Sequence, residues 1–163
     1  MRNTIYPYSI FYFTKSVYDG IGKNQDIVAK LFLKSILINI RYKDKIGTHI
    51  TFTTKDIIDD VRKEEYITKF KGLMQLGKNI AFPEDSDNQR GDQNFKLLQL
   101  AINRDGDVLG LIKIVVNSYE TQQAVKKIIE EDKYPISVIT CEQALEEIET
   151  IEKRLYEIFE RGY

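Results

Sequence analysis

Residues 94–140 read NFKLLQLAINRDGDVLGLIKIVVNSYETQQAVKKIIEEDKYPISVIT: an apolar run, a turn, a second apolar run, an amphipathic stretch and a third apolar run. The first two runs, joined by Arg104-Asp105-Gly106-Asp107, predict a β-hairpin, because glycine supplies the positive φ that such a turn uses. After Val116 the hydrophobic period lengthens from that of a strand to that of a helix, and the chain returns to a strand at 136–139. The fold class this predicts is α/β or α+β: a single domain with a mixed β-sheet of about five or six strands and helices packed on it. With 163 residues, 42% of them hydrophobic, the chain suffices for one full core and is short for two.

The remaining elements are read from local pattern. Residues 5–17, IYPYSIFYFTKSV, carry β-branched and aromatic residues on both faces and predict a strand covered on both sides. A glycine loop, Asp19 to Asn24, follows, with Asn24 placed to cap the next helix. It fits neither phosphate-binding pattern: Val17 and Asn24 break the P-loop spacing, and Gln25 stands where a dinucleotide loop has its third glycine. Residues 25–41 predict a strongly apolar helix with one basic edge formed by Lys23, Lys30, Lys34 and Arg41. Residues 53–77 read as two short helices or one bent helix; as a helix-turn-helix they would bring Lys69 and Lys71 toward phosphate. Thr140 and Gln143 form a capping box that opens a long C-terminal amphipathic helix of about 20 residues. At its first position Cys141 would feel the helix dipole, which lowers a thiol pKa.

Charge is unevenly placed. Residues 1–80 hold 14 Lys/Arg and 8 Asp/Glu, whereas 81–163 hold 10 and 17, so the halves carry +6 and −7. Either the halves face one another, or the basic half meets a polyanion. The polar loop 83–93 offers Asp85, Asp87 and Asp92 as metal ligands, although Arg90 and Lys96 break the calcium-loop pattern. No cofactor is implied. The chain reads as cytoplasmic and not membrane-bound, with no apolar run near the ~18 residues of a spanning helix and no signal-peptide pattern in residues 1–13. One cysteine excludes an internal disulfide, and one histidine, His49, leaves too few ligands for a Cys/His zinc site.

The order helix, strand, strand, strand, helix, strand over 54–140 resembles the core of restriction-endonuclease-like nucleases. That resemblance implies an Asp and an acid two positions before a Lys, holding Mg²⁺. Leu111 precedes Lys113 at that distance and Asn94 precedes Lys96, so the acid is missing. The resulting expectation is a non-enzymatic binding or regulatory protein acting through a protein or nucleic-acid partner. The alternative is a metal-dependent nuclease or phosphodiesterase with an atypical acidic site drawing on Asp85, Asp87, Asp92, Asp105 and Asp107. A homodimer is also expected, formed through the apolar stripe Leu145, Ile148, Leu155 and Phe159 of the C-terminal helix unless that stripe packs on the chain's own sheet.

Overall fold

The computed structural model describes residues 9–23, 25–42, 51–54, 57 and 93–160. Its centre is a parallel sheet with strand order β2-β1-β3-β4, formed by β1 (Ile10–Phe13), β2 (Thr51–Phe52), β3 (Ile112–Val116) and β4 (Ser137–Thr140). Ile10 pairs with Ile112 and Phe13 with Val115; Lys113 pairs with Ser137 and Val116 with Thr140. The two central strands are apolar because both their faces are covered, the usual state of parallel strands. All four residues of β1 are buried, and in β3 only Lys113 is half-buried.

Among the described residues, five α-helices surround the sheet: α1 (Lys15–Gly22), α2 (Asp26–Arg41), α3 (Gln93–Asp105), α4 (Tyr119–Asp132) and α5 (Cys141–Phe159). A 3-10 segment, Gly106–Leu111, joins α3 to β3. α2 packs against α1 and α5, whereas α3 packs against α4. From β1 the chain runs through α1 and α2 to β2 on one side; from β3 it runs through α4 to β4 on the other. Right-handed crossovers in opposite directions put α2 and α4 on opposite faces of the sheet.

The architecture departs from the expected α/β or α+β domain with a larger mixed sheet: among the described residues the strands are fewer, all are parallel, and helix predominates. The main cause is the segment read as the first strand of a hairpin, which is helix α3. Leu97, Leu98, Ala101 and Asp105 are buried at helical spacing, and the run is rich in Leu and Gln with Ile102 its one β-branched member. Gly106 takes no positive φ and enters the 3-10 segment, so no hairpin turn forms. The nuclease-like order of strands goes with it. Asp19 to Gly22, read as loop, lie in α1, and Gln25 rather than Asn24 is the N-cap residue of α2.

Other local signals do appear as read. Ser118 accepts from the Thr121 amide at 3.1 Å to cap α4, and Thr140 and Gln143 form the reciprocal capping box of α5. From α5, Ala144, Leu145, Ile148, Ile151 and Leu155 enter the chain's own core against α2, β3 and β4. Phe159 is partly buried beside Tyr42, with ring centroids 6.4 Å apart. The stripe proposed for a dimer is thus used within the protomer.

Candidate functional site

The crevice between the carboxyl ends of β1 and β3 is where the sheet's connections diverge, and open α/β sheets characteristically bind ligands there. Here it is a cleft of ≈ 360 Å³. One wall is the first turns of α1, with Lys15, Ser16, Asp19 and Gly20; Lys23 and Gln25 follow from the junction with α2. The opposite wall is Asn117, Ser118, Glu120 and Thr121, and α3 contributes Gln93 and Asn94. A second cavity of ≈ 250 Å³ lies beside it over the ends of β3 and β4, shares Asn117 and Ser118, and carries the exposed Tyr119.

A hydrogen-bond chain holds the two strand ends together. The Thr14 hydroxyl donates to the Val115 carbonyl at 2.9 Å and lies 2.8 Å from Ser16 Oγ. Thr14 has therefore spent its proton, so Ser16 donates to Thr14 and, through its oxygen, accepts the Asn117 amide at 2.9 Å. With its proton engaged, Ser16 is a structural hydroxyl. Asn117 Nδ2 then donates to Gln25 Oε1 at 2.6 Å, which explains why Gln25 does not cap α2 with its side chain. That bond leaves the Gln25 amide nitrogen and the Asn117 carbonyl oxygen unused, an adjacent donor and acceptor on two residues that line the cleft. The charged residues of the lining balance: Lys15 and Lys23 against Asp19 and Glu120, with Lys15 Nζ 3.1 Å from Asp19.

Gly20 makes this junction tight. A Cβ there would lie 2.7 Å from Asn117 Nδ2, 2.7 Å from Val28 Cγ2 and 2.9 Å from Gln25 Oε1. Alanine gains about 1 kcal/mol in helix propensity, but overpacking of this kind costs typically about 1–3 kcal/mol. Gly20→Ala is therefore expected to lower stability, by about 1–2 kcal/mol in urea unfolding, and to lose less when Asn117 is already alanine. Stabilisation by Gly20→Ala would show that the junction is looser than this.

The residues singled out from sequence are dispersed. Lys23 lines the cleft and is exposed; Lys30 is exposed elsewhere on α2. Lys34 donates to Glu152 at 2.8 Å and lies 3.6 Å from Glu149; Arg41 donates through Nε and Nη2 to the two carboxylate oxygens of Glu160 at 2.9 and 2.7 Å. The basic edge is thereby turned largely onto the acidic helix α5, and this is where part of the charge asymmetry is resolved. Lys69, Lys71, Asp85, Asp87, Asp92, His49 and most of the 53–77 segment lie outside the described residues. Asp105, the last residue of α3, is buried and accepts the Tyr12 hydroxyl, while Asp107 is exposed. Burial, then that bond to Asp105, raises the Tyr12 phenol above its ordinary pKa. Among the described residues no cluster of three or more His, Cys, Asp or Glu could hold a metal ion.

Cys141 reverses its expectation. Its thiol is fully buried and points at the Val116 carbonyl, Sγ to O 3.8 Å; burial, with a smaller push from Glu142, raises its pKa to about 12. A helix N-terminus is worth only about 0.3–1 kcal/mol to a nearby anion, too little to offset desolvation.

Sequence reasoning did not find Ser16, Gly20, Gln25 or Asn117 as a group. The usable signal was their position directly after strands and before helices. Among the described residues no helix is long and apolar enough to cross a membrane. Comparison with protein-family models, with curated proteins and with solved structures finds no match.

Proposed function

We propose that this chain is a non-enzymatic binding or regulatory protein whose primary site is the cleft between β1 and β3, receiving a small polar molecule of no net charge. The observation that supports this reading is the cavity at the point where the sheet connections diverge, walled by amides and a balanced set of charges. Gln25 and Asn117 offer hydrogen bonds to both donors and acceptors on the ligand, and Lys23 and Glu120 suit the two ends of a zwitterion.

The test is thermal unfolding with free amino acids, nucleosides and sugars in turn. A ligand at a hundred times its Kd stabilises by about 2.7 kcal/mol. The reading expects at least one compound to raise Tm, and the shift to vanish in the Gln25→Ala/Asn117→Ala variant once circular dichroism shows it folded. If no compound shifts Tm at millimolar concentration, or every shift survives the double substitution, the cleft is not the site.

A protein partner is the second reading, supported by a separate observation. Leu33, Leu37 and Ile40 of α2 are exposed together on one face, whereas Lys34 and Arg41 are held by glutamates and so offer little to nucleic-acid phosphates.

A further inference from the structure

The second cavity, ≈ 250 Å³ over the ends of β3 and β4, is smaller than the ~300–1,000 Å³ of a self-sufficient small-molecule site. It therefore serves as an extension of the ≈ 360 Å³ cleft beside it. The two share Asn117 and Ser118, and both side chains are already fixed. Asn117 Nδ2 donates to Gln25 Oε1 at 2.6 Å; Ser118 Oγ accepts the Thr121 amide at 3.1 Å and donates to Thr121 Oγ1 at 2.7 Å. A ligand that crosses this rim meets two compartments in a fixed relation, with little left to order on binding.

Beyond the rim the lining changes from charge-balanced to aromatic. Tyr119 lines the second cavity and is 75% exposed, so its ring has an uncovered face on which a flat molecule can stack. The same lining holds Gln122, Thr140 and Glu142 and, among the described residues, no cation. Thr140 Oγ1 accepts the Gln143 amide at 3.2 Å and keeps its proton to donate. The Glu142 carboxylate only accepts, whereas the Gln122 amide does both. A phenyl ring uses none of these groups. A nitrogen heterocycle uses them together, its exocyclic amino group donating to Glu142 and a ring nitrogen accepting from Thr140 or Gln122.

We infer that the two cavities together take a nucleoside whose base bears an exocyclic amino group. The base lies on Tyr119 with its amino group toward Glu142, and the sugar hydroxyls occupy the cleft. The inference rests on the cleft reading and narrows its ligand. A sugar hydroxyl both donates and accepts, as the unused Asn117 carbonyl and Gln25 amide require of one ligand group. The charges of the cleft lining sum to zero and the second cavity adds Glu142, so a nucleoside suits the site better than its phosphate ester.

Isothermal titration calorimetry of the full chain with adenosine, cytidine, uridine, ribose and phenylalanine tests this. Adenosine or cytidine is expected to bind more tightly than the other three. Tyr119→Ala should weaken that binding by about 5- to 150-fold, the range of one base–aromatic stack, and Tyr119→Phe should keep it. Glu142→Gln should narrow the gap between cytidine and uridine. Tyr119 and Glu142 are both exposed, so the variants should stay folded by circular dichroism. Ribose or phenylalanine binding that depends on Gln25 and Asn117, with no nucleoside bound, ends this inference and leaves the cleft reading standing. So does nucleoside binding that Tyr119→Ala leaves unchanged, or that is as tight for uridine as for cytidine. If no nucleoside binds at millimolar concentration the inference is wrong, and the cleft reading falls with it only where sugars and amino acids also leave Tm unchanged.

Discussion

Phe32→Ala is expected to remove about 3–5 kcal/mol of stability. Phe32 is 1% exposed and reaches from α2 to the sheet and to α1 at once. Its ring meets Phe13 of β1 edge-on, centroids 5.0 Å apart at 82°, and lies 4.9 Å from Tyr18 of α1; Phe13 and Tyr18 are 6.4 Å apart. Truncation removes two aromatic contacts as well as buried area, and the rigid neighbours around it cannot collapse fully into the gap. At ~2–4 °C per kcal/mol for a chain of this size, Tm should fall by roughly 6–20 °C. Lys30→Ala, two residues away but exposed, should stay within about 0.5 kcal/mol. The cluster also carries α1 and hence the Ser16 wall of the cleft, so any ligand response at the cleft should weaken in parallel. A Phe32→Ala protein within about 1 kcal/mol of the natural one would mean that α2 is not anchored on these rings.

How far the sequence revealed this arrangement depends on the range of each signal. The two capped helices α4 and α5 were legible because their start signals, Ser118 with Thr121 and Thr140 with Gln143, act within four residues. The α3 segment was ambiguous because Leu97-Leu98 and Leu100-Ala101 satisfy a strand covered on both faces as well as a helix; burial by α4 decides it, and that contact is not local. α2 was legible as a helix but not in its orientation. Its lysine edge looked like its wet face, yet Lys34 and Arg41 turn toward the glutamates of α5, more than a hundred residues away, and three aliphatic side chains take the solvent instead. The cleft was the least legible part. Asn117 and Gln25 are 92 residues apart and neither belongs to a recognisable motif, so only the parallel pairing of β1 with β3 brings them together.

Raising the pH is expected to destabilise the protein from about pH 9 upward, because several buried groups must lose protons that the fold retains. Burial lifts the Cys141 thiol from an ordinary 9.0 to about 12. Below pH 9 the thiol is protonated in both folded and unfolded chains and its contribution is fully present. Between about 9 and 12 the unfolded chain ionises first, binds fewer protons, and becomes progressively favoured. At ~1.4 kcal/mol per pH unit that interval is worth at most about 4 kcal/mol, the figure for a site that admits no water. Tyr12 and Tyr18, both raised chiefly by burial, add to the loss above pH 10, and so does Lys34, raised by its hydrogen bond to Glu152. Every one of these shifts has the same sign, so none offsets another. Urea unfolding from pH 8 to 11 should show the decline, and Cys141→Ala should flatten its first part. In the folded protein the thiol should resist a disulfide reagent at pH 8, and the tyrosinate absorbance should lack Tyr12 and Tyr18 until unfolding releases them. Stability that holds level to pH 10.5, or a native thiol that titrates near its ordinary value, would place Cys141 in water and not beneath α5 against Val116.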